Sequence, residues 1–399
     1  MIIESLLDTD LYKFNMMRIF IEKFFNSYGR YVFKCRTPNI KFTPEMFKDI
    51  GEELRHVATL RFSPEEIDYI KNIRYHSTAY GYLNFLKMFQ LDMSNFKKLD
   101  LHDGKLEIEV EGPIFQVSMW ETFVLAIVQE TYWKHTIGDD DVPDRNTLMH
   151  DGINKLLGDL EIMHHHPFLL IEFGTRRRFS KGYQEAVLKI LLKQTPEGSL
   201  FGTSNVELAK KYRLRPCGTM AHEYICLGQA LKHVPIGESQ TYMLDQWYDL
   251  YGDSLGTALS DTLGTDKFLK DFTPRYAKLY DGVRHDSGDP LTWGNKIIEH
   301  YTSMGIDHKT KVLFFSDSLT LEKASEIKTY FKKFHDHYKI SFGIGTALTN
   351  NIPGITPLNL VMKLVEANGR PVAKISDESG KTMCEDEKYL EYLRYTINN

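Results

Sequence analysis

The sequence predicts an α/β fold, a closed or nearly closed (β/α) barrel carrying a second, smaller α+β domain. Short apolar runs recur through the second half of the chain, each ending in a polar or glycine-containing turn: FLLIEFGTRRR, SLFGTSN, LRPCGTMAHE, LGTALSD, YDGVRHDSGDP, VLFFSDS and ISFGIGT. Most are separated by enough chain for a helix, the pattern of parallel strands joined by crossover helices; so many units favour a barrel over an open doubly wound sheet, the alternative. The first third mixes helices with a hairpin, and a second hairpin follows the barrel.

Residues 8–25 predict a helix, with Asp8 or Thr9 as cap and Leu11, Phe14, Met17, Ile21 and Phe24 at three- and four-residue spacing. Ser63-Pro64-Glu65-Glu66 combines a capping box with proline in the first turn of another helix. KLDLHDGKLEIEV, residues 98–110, alternates on both sides of Asp103-Gly104 and predicts a hairpin. Ser118 and Glu121 are expected to cap a strongly apolar helix running to about Trp133. The polar stretch GDDDVPDRNT, residues 138–147, then separates the two regions. PLNLVMKLVEANGRPVAKIS, residues 357–376, is a hairpin around Asn368-Gly369 that needs sheet partners, and the N-terminal region holds the other strands. The expected organisation is therefore an α+β domain over residues 1–150, completed by 355–399, and a catalytic barrel over 151–354.

The chain has 399 residues, 42% hydrophobic and 13% aromatic, enough to bury a large core. A formal net charge of -5 provides no overall positive field for nucleic acid or a membrane surface, so any anion must be bound locally. The four cysteines lack metal-binding or disulfide-framework spacing and suit a reducing cytoplasm. The N-terminal residues do not read as a secretory signal, and no apolar run reaches membrane-spanning length.

In a barrel the chemistry sits where strands end, where Arg176, Ser204, His222, Asp261, Arg284, Asp286, Asp317 and the Gly343/Gly345 pair fall. In RHDSGDP, Asp286 and Asp289 could hold a hard cation such as magnesium, and Arg284 could grip a carboxylate or phosphate, although Asp, Ser and Gly are also ordinary turn residues. SFGIGT offers the amides of Gly343 and Gly345 and the Thr346 hydroxyl, and VLFFSDS adds Ser316 and Asp317; together they suggest a sugar or nucleotide phosphate. Of the triplet Arg176, Arg177 and Arg178, one can point into a site; Phe173 before it is either core or a stacking ring. HHH at residues 164–166 lacks the spacing of a zinc helix. His222 beside Glu223 is either a satisfied polar residue or, facing a phosphate pocket, a nucleophile or base.

LLDTDLYKFNM, FKCRT, EFGTRRRFS, GTSN, GTMAHEY, ALSDTL, RHDSGDP, FSDSL and SFGIGT, in that order, resemble the nicotinate phosphoribosyltransferase family over about residues 4–385. The resemblance implies an irregular type II phosphoribosyltransferase barrel. It also implies transfer of the phosphoribosyl group of phosphoribosyl pyrophosphate (PRPP) to nicotinate in NAD salvage, with ATP hydrolysis coupled through phosphorylation of His222 and with magnesium. The resemblance further implies a homodimer with shared sites, in which Tyr12 reaches across to the neighbouring subunit and Arg36 and Lys363 are phosphate contacts at the shared site. By the same resemblance Phe173 stacks on the pyridine, Arg284 faces its carboxylate and Arg176 is a further phosphate contact. Asp286 and Asp317 lie near ribose and pyrophosphate-bound magnesium with Asp261, Ser287 and Ser316 nearby, and Gly343, Gly345 and Thr346 form the 5'-phosphate loop. The nicotinamide-using branch has an aspartate where this chain has Ser204, and an aspartate would repel a carboxylate. The alternatives are a quinolinate or nicotinamide phosphoribosyltransferase, or a non-catalytic PRPP-binding sensor.

Overall fold

The computed structural model describes residues 1–137 and 144–398; the first part of the GDDDVPDRNT stretch lies outside the described residues. Two sheets organise the chain. The strands β1 (Tyr28–Cys35), β2 (Phe96–His102), β3 (Lys105–Pro113), β10 (Leu360–Ala367) and β11 (Arg370–Pro371) form an antiparallel sheet in the order β11-β10-β1-β3-β2. Both of its hairpins turn on paired left-handed residues, Asp103-Gly104 (φ 50° and 80°) and Asn368-Gly369 (φ 50° and 71°), whose twist matches that of the strands. The C-terminal hairpin finds its partner in β1, pairing Val32 with Lys363 and Cys35 with Leu360. The expected division at 150/151 falls inside the helix Arg145–Asp159.

The second sheet is parallel and has six strands: β4 (Leu169–Glu172), β5 (Leu200–Thr203), β6 (Thr257–Leu259), β7 (Gly282–His285), β8 (Val312–Phe315) and β9 (Ile340–Ile344). Its order, β5-β4-β9-β8-β7-β6, follows the chain around a circle, with β9 returning to β4, and leaves one seam between β5 and β6. LRPCGTMAHE, expected to supply a strand, lies at this seam and makes only one bridge, Thr203 to Pro216. That bridge uses the Arg215 carbonyl and the Cys217 amide, so the nitrogen of Pro216 faces the opposite edge, where it has no N–H to offer another strand. Gly218 follows because a Cβ there would stand 2.9 Å from the Tyr12 amide nitrogen. The barrel is thus irregular, and the GTMAHE segment fills its gap.

The first helix is Leu11–Lys23, with Asp10, not Asp8 or Thr9, at the N-cap position and its side chain turned to Ser204 and not to the helix amides. It is buried all round, from Leu11 to Phe20, so Tyr12 and Lys13 are enclosed although they lie off the apolar stripe. Asp8 is instead committed to the barrel: both its oxygens take hydrogen bonds from Arg178, at 2.7 and 2.8 Å, with neither side chain exposed. The capping box at Ser63 forms as expected. That expected at Ser118 does not, because Ser118 and Met119 both have helical backbone angles and the helix Trp120–Thr136 follows directly. Glu121 is thereby released from capping and turns toward the site.

Candidate functional site

Two cavities meet at the strand ends. One, of about 790 Å³, occupies the barrel interior, from Leu169 and Val312 at the strand starts to Phe173 and Arg284. The other, of about 630 Å³, lies between the barrel's C-terminal strand ends and the antiparallel sheet, and is lined by Arg36, Arg177, His222, Asp286, Ser316, Asp317, Gly345, Thr346 and Lys363, among others. Tyr12, Phe173, Arg176 and Arg284 line both and mark the junction.

At the junction, the Phe173 ring is fixed by Phe314, with centroids 5.6 Å apart and planes at 79°. Gly343 makes room for it, since a Cβ there would stand 2.7 Å from the ring. Gly343 therefore serves ring placement, beyond the phosphate-loop part expected of it. Arg284 donates from Nε to Ser316 Oγ and from Nη2 to Asp286 Oδ1, both at 2.8 Å. Ser316 in turn donates to the same Asp286 oxygen at 2.8 Å. Burial works against the Asp286 charge, but Arg284 and His222 hold its carboxyl well below the usual range.

His222 opens the helix His222–Gly228 and is 9% exposed. Its Nε2 lies 2.9 Å from Asp261 Oδ1 and 3.6 Å from Asp286 Oδ2. Asp261 is buried behind it and also takes Ser287 Oγ at 2.6 Å and Lys374 Nζ at 2.9 Å. His222, then Lys374 and the Ser287 hydroxyl, keep Asp261 ionised against the cost of burial. An ionised carboxylate only accepts, so Nε2 carries the proton and Nδ1 keeps its lone pair. Burial, then Lys374, lowers the His222 pKa and favours the neutral ring. Ser287, expected to touch substrate, is 1% exposed and orients Asp261 instead.

The outer cavity is cation-rich. Burial, with Arg176 and Arg36 close by, pushes the Arg177 guanidinium down to about 10, and burial with Arg176 and Lys374 lowers the Lys363 pKa. Like charges crowd here without enough carboxylates, which is a site built for an anion. Arg176 and Arg177 both line it, one more of the triplet than expected, while Arg178 is buried against Asp8. Lys381, from the segment after the C-terminal hairpin, holds both Asp317 oxygens at 2.6 Å.

Several residues here were not legible as site residues. Glu121 meets Lys13 at 2.6 Å, Arg176 at 3.4 Å and Lys363 at 3.6 Å, a buried carboxylate at the centre of three cations. Lys13 also reaches Glu223 at 2.6 Å, which ties the residue beside His222 into the same network. Ser204 faces the barrel cavity only, where it bonds Asp10. The histidines at 164–166 are exposed and lie outside this assembly. Tyr12, Arg36 and Lys363 were expected to reach across a dimer; here they line the cavity together with Phe173 and His222 of their own chain. Among the described residues, the His/Cys/Asp/Glu group close enough to share a metal is His222, Asp261 and Asp286, without Asp317. Asp261 and Asp286 are already balanced by Lys374 and Arg284, so these side chains form no stand-alone metal cage; they fit an ion held mainly by substrate oxygens.

The fold and cavities define an α/β-barrel protein in which an aromatic-lined cavity meets a cation-rich one at the strand ends. The model of the nicotinate phosphoribosyltransferase (NAPRTase) family matches residues 168–399, and that of its N-terminal domain matches 7–129. A nicotinate phosphoribosyltransferase of Acinetobacter baylyi is 43% identical over 98% of this chain and 96% of its own. Crystal structures of nicotinate phosphoribosyltransferases from Vibrio cholerae (38% identity, TM-score 0.92, covering 100% of this chain and 94% of that one) and Porphyromonas gingivalis (34%, 0.90, 100% of each) share the fold. The chain belongs to the nicotinate phosphoribosyltransferase family.

Proposed function

We propose that the protein transfers the phosphoribosyl group of PRPP to the ring nitrogen of nicotinate, giving nicotinate mononucleotide and pyrophosphate, and couples this to ATP hydrolysis through His222. The observation that carries the reading is the junction itself: Phe173 and Tyr12 stand where a largely apolar cavity meets a cation-rich one. Nicotinate occupies the barrel side, with Phe173 as its stacking surface and Ser204 and Arg284 toward its carboxylate. The phosphates of PRPP occupy the outer side, against Arg36, Arg176, Arg177 and Lys363, with Gly345 and Thr346 at the 5'-phosphate.

The bond from ribose C1 to pyrophosphate oxygen breaks with oxocarbenium character, and the pyridine nitrogen forms the new bond to C1. No base is required, because that nitrogen is already unprotonated. The arginines and lysines neutralise the departing pyrophosphate, while the junction holds nitrogen and C1 in line. Asp286 would hold magnesium brought by the pyrophosphate, which would add to that neutralisation; Asp317, with both oxygens on Lys381, stands outside the group close enough to share an ion. His222 belongs to a separate step. Its Nδ1 lone pair attacks the γ-phosphorus of ATP, the N–P bond forms as ADP leaves, and water later cleaves the phosphohistidine to release phosphate. The negative phosphoryl group orders the surrounding cations for PRPP, a gate driven by differential binding. A homodimer, expected from the resemblance, is not needed to furnish this cavity.

Incubation with nicotinate, PRPP and magnesium, with and without ATP, tests the reading. Nicotinate mononucleotide should form and ATP should raise its yield; no nucleotide under either condition contradicts it.

A further inference from the structure

On the base side of Phe173, one hydroxyl already has a carboxylate acceptor for its single proton. Ser204 Oγ lies 2.6 Å from Asp10 Oδ1, with the two residues 3% and 2% exposed, and both line the barrel cavity beside Tyr12, Phe173 and Arg284. Backbone pairing fixes them: Leu11 N donates to Ser204 O at 2.8 Å, and Asp10 bridges Asn205. A hydroxyl donates once. Spent on an ionised Asp10, it leaves Ser204 only lone pairs for a ligand, which suit the N–H of an amide and oppose a carboxylate. With a proton on Asp10, the carboxyl donates to Ser204 Oγ, and the serine proton turns to the ligand.

We propose that Asp10 determines specificity: nicotinate binds together with one proton, taken from solvent and held on Asp10, and Ser204 donates to the substrate carboxylate. This rests on nicotinate being the substrate, as read above. The absence of an aspartate at position 204 is then insufficient by itself to favour the acid, because a carboxylate already stands within hydrogen-bond distance of Ser204. The groups facing Asp10 are the Arg176 guanidinium at 3.6 Å, the Thr175 hydroxyl, and the carboxylates of Glu121 and, behind β4, Glu172. Tyr12 is the neighbouring phenol on its own helix, and Lys13 is held between Glu121 and Glu223. Burial pushes Asp10 above the ordinary aspartate value, against Arg176 and with Glu121, and an arriving carboxylate pushes it further in the same direction.

Calorimetric titration of nicotinate into the protein, in buffers of different ionisation enthalpy, counts the protons taken up. KM for nicotinate and nicotinamide across pH provides the second readout, for the wild type and Asp10→Asn. Wild type should take up protons with nicotinate, and its nicotinate KM should rise with pH, approaching about tenfold per unit where Asp10 is ionised in the free protein but still protonated in the complex; the amide's KM should not follow. In Asp10→Asn the side-chain amide donates to Ser204 at every pH, so uptake should vanish and the profile flatten. Nicotinate binding without proton uptake in the wild type overturns the proposal, whether or not the variant folds. Equal uptake and slope in Asp10→Asn also overturns it, whereas a wild type that binds no nicotinate overturns the substrate reading beneath it.

Discussion

His222 and Glu223 are adjacent in sequence and separate in space, the first turning to Asp261 and the second to Lys13. The sequence could not apportion them, because a histidine beside a glutamate fits many structural roles and only the Asp261 contact fixes its proton. Since burial and Lys374 lower the His222 pKa from the ordinary 6.5, its neutral, nucleophilic form persists below that pH. ATP-dependent phosphorylation, followed across pH, should therefore hold through 6.5 and decline only at lower pH; a midpoint at or above 6.5 contradicts the environment described. Glu121 was read as a capping residue and proves to be the shared partner of Lys13, Arg176 and Lys363. Removing a charge-assisted partner costs about 1.5–3 kcal/mol. Glu121→Gln should accordingly lower kcat/KM for PRPP by roughly tenfold to a hundredfold; an unchanged value would show that Glu121 does not position those cations.

At the scale of elements, periodicity and turn chemistry predicted both hairpins and most of the barrel strands, since alternation and left-handed turn residues are local properties. What was not local was not visible. The run LRPCGTMAHE reads as another strand end, yet it makes one bridge, at Pro216, whose other edge offers no N–H, and the segment fills a seam. Gly343 reads as a phosphate-loop glycine, whereas the ring of Phe173, distant in sequence, claims the space of its absent Cβ. Gly343→Ala, with its methyl 2.7 Å from that ring, must displace it. Overpacking of this kind costs about 1–3 kcal/mol. The nicotinate KM should rise by roughly tenfold with a smaller effect on PRPP; equal effects on both substrates would place the ring elsewhere. Asp8 was legible only as a helix cap, and its pair with Arg178 ties the N-terminal segment to the barrel. Asp8→Asn leaves the buried Arg178 with only the more distant Glu130, at 4.0 Å, as an ion-pair partner and should cost about 3 kcal/mol in denaturant unfolding. Arg178 holds the Asp8 pKa below its ordinary value although burial opposes it, so the pair's contribution is present above that value and fades as pH falls. The gap between wild type and variant should narrow in acid; a pH-independent gap would mean that the charge of Asp8 is not what stabilises.

For the whole molecule, the return of β10 to β1 brings Lys363 over the strand ends of the barrel, and residues from both ends of the chain close one cavity with its middle. The cavity is thus lined from one chain, where the resemblance implies sites shared with a partner. Mixing inactive Tyr12→Ala and Phe173→Ala proteins under conditions that exchange subunits should restore no activity; recovery would show that Tyr12 crosses between chains. The central claim is that one cavity houses two separate chemistries, with ring transfer at Phe173 and phosphoryl capture at His222. It is tested most directly by incubating wild type and His222→Asn with γ-labelled ATP, measuring acid-labile protein-bound phosphate beside nicotinate mononucleotide formation. The wild type should carry the label, and His222→Asn should lose the label and the ATP stimulation while keeping ATP-independent transfer. Label and undiminished ATP stimulation in His222→Asn would contradict the account.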